Sequence, residues 1–318
     1  MKFVSIASDE QNKDLTMPEF RHLTSTTQIN RTWIYSELFP LCNQLRKQKG
    51  SSRMLEGRSL YCLFYEPSFL TRTSFELAIG LLGGNAYHTE DASQFYPVKT
   101  PNHIDNVINI LASLRIDLVV LRSSEEGVVS GAAEADAVPI VNGGSLSDHP
   151  TQALADIFTL NHELGGVDGI SVALVGRLDH RNVSAFLRCL SLYDNVTVNL
   201  LPFSGQADPE VLAYCRNQGL KLVVTSDIEA LRDVDAIYLN GPRTRAHAQL
   251  LKSRGSLDLH IDRKFMSKLK SHCVILDPMQ RSGDFIVEVQ DARLAFYRQS
   301  ENALLVKMAL LADMLQVQ

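Results

Sequence analysis

Three short segments carry polar residues whose types and spacing can do chemistry. The first is Phe64-Tyr65-Glu66-Pro67-Ser68-Phe69-Leu70-Thr71-Arg72-Thr73-Ser74-Phe75-Glu76. There an apolar run stops, hydroxyls and an arginine follow, and a helix is predicted from Ser74. The N–H groups and dipole at a helix start favour an anion, so this is a candidate phosphate seat; an ordinary Ser/Thr cap with Glu76 close behind gives the same pattern. The second is Asp148-His149-Pro150-Thr151-Gln152, which opens a helix with Pro150 in the first turn and Asp148 or His149 as the cap. His149 and Gln152 are three apart and can face one ligand, though a plain capped helix fits equally. The third, Leu276-Asp277-Pro278-Met279-Gln280-Arg281, is by itself only a loop after a strand.

Other chemistries lack their signatures. Gly176-Arg177-Leu178-Asp179 follows the Val172–Val175 run, so no G-x-G-x-x-G dinucleotide fingerprint is present. Neither a P-loop nor a G-x-S-x-G nucleophile elbow occurs. His103, His149, His162, His180 and His247 lack metal-ligand spacing, and Cys42, Cys62, Cys189, Cys215 and Cys273 show no C-x-x-C. These thiols are expected to be reduced core residues of a cytoplasmic protein, with no zinc site.

The elements needed to hold such groups follow from hydrophobic patterning. Short apolar runs at 59–65, 117–121, 138–141, 170–175, 196–201, 220–225, 236–239 and 274–276 predict strands, with another starting at 86–88. Helical spacing predicts helices over 32–48 despite Pro40, and over 74–82, 105–114, 151–164, 182–192 and 301–316, the last with Leu304, Met308, Leu311 and Leu315 on one face. This alternation predicts an α/β fold, two similar-sized domains each with a parallel sheet flanked by helices. A ligand cleft is expected between them, at the carboxyl ends of the strands. The 318 residues suit two domains, and a net charge of -5 disfavours a nucleic-acid partner. No apolar run reaches the roughly 20 residues of a membrane span, and the N-terminus does not read as a signal peptide.

Taken in order, FYEPS with TRTSFE behind it, LVVLRSSEEG, HPTQALADIFTL and the closing AFYRQSENALLVKMALLADML resemble the aspartate/ornithine carbamoyltransferase family, its aspartate branch most closely. The resemblance spans nearly the whole chain. It implies a carbamoyl-phosphate-binding domain (1–148 plus 298–318, the final helix returning to it) and an amino-acid-binding domain (149–297). It also implies a homotrimer with shared active sites, carbamoyl phosphate and aspartate or another amino acid as substrates, a step of pyrimidine biosynthesis, and no cofactor or metal. Arg122 matches the arginine on carbamoyl phosphate, His149 the histidine that polarises the carbonyl, and Gln152 the glutamine that holds the carbamoyl amide. Ser68 and Thr71 match hydroxyls of the phosphate loop. Lys99 matches the lysine that enters a neighbouring subunit's site, Arg181 the arginine on the amino acid's carboxylate, and Pro278 and Met279 the loop with carbonyls for the carbamoyl group and amine.

Departures fall on both ligand sites. Where the family reads Ser-Thr-Arg-Thr-Arg, the ungapped match is Ser68-Phe69-Leu70-Thr71-Arg72, so apolar residues replace a threonine and the first arginine. Each lost charged hydrogen bond should weaken a dianion's seat by roughly 1.5–3 kcal/mol. A gapped match slides Arg72 onto that arginine instead. Arg243 stands for the family's second aspartate arginine only after a shift, and Asp277 replaces a histidine. Two other readings therefore stand beside aspartate carbamoyl transfer: a transferase on this scaffold with another acceptor or donor, and an oligomeric subunit without catalysis.

Overall fold

The computed structural model describes residues 20–48, 52–89, 91–94, 103–241, 259–278 and 285–315. Lys99, Arg243 and Met279 lie outside them.

The first half builds β1 (Ser59–Phe64), β2 (Asn85–Thr89), β3 (Leu118–Arg122) and β4 (Ile140–Asn142) into a parallel sheet of order β2-β1-β3-β4. Strand alternation divides its core. Leu118 and Val120 pack with Phe75, Ile79 and Leu38 on one face, while Val119 and Leu121 pack with Ile108, Leu111 and Val129 on the other. Every residue of β3 is buried, which is why it reads as a continuous apolar run. Helices α1 (Phe39–Lys47), α2 (Phe69–Leu81), α3 (His103–Ser113) and α4 (Val128–Glu134) cover these faces.

The second half builds β5 (Ser171–Arg177), β6 (Thr197–Ser204), β7 (Lys221–Val224), β8 (Ala236–Asn240), β9 (His260–Ile261), β10 (Val274–Leu276) and β11 (Ile286–Val287). The larger sheet has order β10-β8-β5-β6-β7, also parallel, and β9 pairs with β11 apart from it. Helix α5 (Pro150–Leu164) leads into this half and packs against α6 (Arg181–Leu190), and α7 (Pro209–Asn217) and α8 (Arg263–Met266) follow. The long α9 (Phe296–Leu315) packs against α1, α2 and α5. This is the expected α/β architecture of two parallel sheets flanked by helices.

Several boundaries differ from expectation, each for a physical reason. Helix α2 starts at Phe69, not near Ser74, so the hydroxyl-rich stretch is the first turn of the helix rather than a loop before it. Pro40 is tolerated because it falls in the first turn of α1, and the preceding Ile34–Leu38 forms a π turn in which Phe39 N–H reaches the Ile34 carbonyl. Helix α9 begins at Phe296, five residues early, and is buried on nearly all sides rather than along one stripe. The five cysteines are buried free thiols.

Candidate active site

The carboxyl ends of both sheets open onto one cleft of about 420 Å³. Register places its first wall: Phe64 at the end of β1 pairs with Arg122 at the end of β3, and Tyr65 N–H donates to the Arg122 carbonyl at 2.9 Å. The chain then turns through Pro67 and Ser68 into α2. Ser68 is the N-cap residue, extended at φ -150°, and its side chain makes no capping hydrogen bond. Ser68, Thr71 and the apolar Phe69 and Leu70 all line the cleft, with Phe69 75% exposed. The start of this helix offers backbone donors to an anion, but its first turn carries no cation toward the void. Arg72 does not line the cleft; it lies 3.7 Å from Glu76 on the same helix.

Arg122 is buried, and its Nη1 donates to the Gly143 carbonyl at 3.0 Å. Gly144 has φ +118°, and a Cβ there would run into that same guanidinium, so only glycine lets the loop after β4 pass so close. His149 is the N-cap residue of α5 but makes no capping hydrogen bond with its side chain. The start of α5 is fixed instead by buried Asp148, which accepts from Ser25 Oγ (3.0 Å), Thr26 N–H (2.8 Å), the Thr26 hydroxyl and His149 N–H (2.8 Å). Burial first, then the guanidinium groups of Arg122 and Arg181 and the ammonium of Lys307, hold the His149 pKa well below its usual value, so the ring is neutral. Thr151 Oγ1 lies 3.4 Å from its Nδ1.

Gln152, one turn into α5, donates from Nε2 to Asp156 Oδ1 at 2.8 Å. Asp156 also accepts from Gln299 Nε2 at 2.7 Å and from the Tyr238 hydroxyl at 2.8 Å. Its burial pushes the carboxyl pKa up to about 7 despite these donors. Gln299 in turn accepts Asp277 N–H at 2.9 Å, tying the Asp277-Pro278 loop, which lines the cleft, to α5 through α9.

The opposite wall comes from the start of α6, where His180 caps through Nδ1 to Asn182 N–H at 3.2 Å. Buried Arg181 crosses to the first half, donating to the Ser145 carbonyl at 2.7 Å and to Glu66 Oε2 at 3.1 Å. Glu66 also lies 3.9 Å from Arg122 Nε, so one carboxylate joins both arginines and both halves.

The cleft thus brings together Ser68, Thr71, Arg122, His149, Gln152, Arg181 and Pro278 and leaves Arg72 outside its wall. Sequence reasoning gave no role to Glu66, Asp156, His180, Asn182, Gln299 or Lys307. Two signals were available: Asp156 stands one helical turn from Gln152, and Lys307 interrupts the otherwise apolar run 303–312.

Two parallel sheets meeting at a cleft of guanidinium, imidazole and amide groups define a transferase fold, and the comparisons name it. Residues 21–162 match the aspartate/ornithine carbamoyltransferase carbamoyl-P binding domain, and residues 168–314 the Asp/Orn binding domain of the same family. The chain belongs to the aspartate/ornithine carbamoyltransferase family. Its relatives are aspartate carbamoyltransferases: the chloroplastic enzyme of Oryza sativa subsp. japonica is 34% identical over 275 residues, 82% of this chain and 74% of that protein. Among solved structures, the catalytic subunit of M. jannaschii aspartate transcarbamoylase is 28% identical, with a TM-score of 0.81 over 93% of this chain and 98% of that one. The Trypanosoma cruzi aspartate transcarbamoylase in complex with carbamoyl phosphate and aspartate is 27% identical, with a TM-score of 0.81 over 92% and 96%.

Proposed function

We propose that this chain transfers a carbamoyl group from carbamoyl phosphate to the α-amine of aspartate, a step of pyrimidine biosynthesis. The observation that carries the reading is the convergence of Arg122, neutral His149, Gln152 and Arg181 on one cleft. The amine nitrogen attacks the carbonyl carbon, the bond to the phosphate oxygen breaks, and phosphate leaves with the electron pair and takes up the proton that the amine sheds. Negative charge builds on the carbonyl oxygen, and Arg122, His149 and the Thr71 hydroxyl are the donors placed to meet it. A neutral imidazole serves here as a hydrogen-bond donor rather than an acid. Gln152 holds the carbamoyl amide through its carbonyl oxygen, since its Nε2 is engaged by Asp156. Ser68 and the first N–H groups of α2 take the phosphate, which Arg72 reaches only by leaving Glu76. Arg181 takes the carboxylate of the amino acid by exchanging Glu66 for it, with Arg243 as a second contact and the Pro278 and Met279 carbonyls beside the carbamoyl group and amine. The reaction so written uses no metal or organic cofactor.

In this reading residues 1–148 with 298–318 form the carbamoyl-phosphate-binding domain and 149–297 the amino-acid-binding domain. The assembly is a cytoplasmic homotrimer in which Lys99 completes a neighbour's site, with neither nucleic acid nor membrane as partner. Among the described residues no helix is long and apolar enough to cross a membrane.

Phe69 and Leu70 in the cleft wall favour a second reading, a transferase with another acceptor or donor. Labelled carbamoyl phosphate offered with aspartate, ornithine and other amines separates the two. Turnover with aspartate is expected; turnover only with another amine selects the second reading, and none with any amine removes both.

A further inference from the structure

Three side chains that carry positive charge line the described cleft: Arg122, Arg181 and Lys307. Lys307 comes from α9, far along the chain from the segments that resemble a phosphate loop. It is 4% exposed. Its Nζ donates to Ser74 Oγ at 2.5 Å and lies 5.1 Å from the centre of the Phe75 ring, and no carboxylate among the described residues forms an ion pair with it. A lysine withdrawn from water and held by a neutral hydroxyl is costly unless something negative offsets it.

We propose that the Lys307 ammonium is a substrate-binding cation of this cleft, holding the phosphate of the donor against the first turn of α2, where Leu70 brings no charge. The proposal rests on the carbamoyl-phosphate reading above and adds to it the residue that meets the phosphate. The geometry is specific. Leu70 and Ser74 are one turn apart and share a face of α2. The Ser74 hydroxyl donates to the Leu70 carbonyl and lies 3.1 Å from that of Thr71, while accepting from Nζ. The ammonium therefore sits beneath residues 70 and 71, at the level where a charged side chain in place of Leu70 would act. Of its three hydrogens Ser74 takes one, which leaves two for phosphate oxygens. Burial pulls the Lys307 pKa down to about 8, with Cys62 and Asp156 acting the other way, so the group stays mostly protonated at neutral pH.

Calorimetric titration of the full chain with carbamoyl phosphate, and separately with inorganic phosphate, tests this. Lys307→Met should weaken binding about 10- to 100-fold, the worth of a charged hydrogen bond. Lys307→Arg should stay within about threefold of the native chain, since it keeps the charge. Leu70→Arg placed in the Lys307→Met chain should restore affinity by supplying the charge from the other side. Lys307→Gln, which removes the charge but keeps a polar head for Ser74, serves if Lys307→Met fails to fold. Unchanged affinity in a folded Lys307→Met chain overturns the proposal and leaves the transferase reading intact. Lys307-dependent binding of inorganic phosphate without binding of carbamoyl phosphate supports the anion site and removes the donor. A native chain that binds neither anion overturns both.

Discussion

His149 is surrounded by positive charge and shielded from water, and both effects disfavour its protonated form. The donor role proposed for this neutral ring sets a measurable expectation. His149→Ala and Arg122→Ala should each lower kcat by about 10²- to 10³-fold, as removal of an oxyanion donor does. Steady-state kinetics with saturating substrates checks this; a loss confined to KM would show that these groups only bind. Asp156 behaves in the opposite sense. Its folded-state pKa of about 7 lies above the ordinary 3.8, so between those values the folded chain keeps a proton that the unfolded chain gives up. The stabilisation is complete below about pH 4 and is lost as pH rises through about 7. Asparagine at this position cannot ionise and keeps one acceptor for Gln152 and Gln299. Melting temperatures across pH 4 to 8 should therefore show the native chain losing ground to Asp156→Asn as pH rises, and parallel curves would contradict the assignment.

At the level of elements, most of the framework was legible in the sequence. The fully buried β3 and β8 show as uninterrupted apolar runs, and Pro150 with Gly165 brackets α5. The start of α2 was not legible: Ser68-Phe69-Leu70-Thr71 follows a proline and mixes hydroxyl and bulky residues, which looks like a loop until the strand end and Ser68 are seen to launch a helix there. Nor was the node joining Gln152, Tyr238 and Gln299 to Asp156 legible, because Gln299 is 143 residues from Asp156 and only tertiary packing brings them together. Helix α9 was recognised, but its burial was underestimated because a single apolar stripe accounts for only part of its contacts. Leu311 is fully buried where α9 meets the first-half core. Leu311→Ala should cost about 2–5 kcal/mol, measured by denaturant unfolding with an unchanged m value. A cost below about 1 kcal/mol would mean that this helix is not part of the cooperative core.

For the whole molecule, Glu66 joins the two halves through Arg181 and lies near Arg122, so any carboxylate that binds Arg181 must compete with an internal one. The proposed shared-site trimer predicts complementation. Lys99→Ala and His149→Ala chains, each of low activity alone, should regain activity when dissociated and reassembled together, since a mixed trimer holds sites with both native groups. Activity no greater than the average of the parents would show that each chain works with its own residues. The position of α9 has a further consequence for synthesis on the ribosome. Gln299, Ser300, Ala303 and Lys307 are made after every other described residue of the cleft, so a nascent chain can fold its sheets and still lack the amide that steadies Asp156 and the ammonium below Leu70. Ligand capture is thereby postponed until α9 has been made, and a chain terminated before it is left without those two groups.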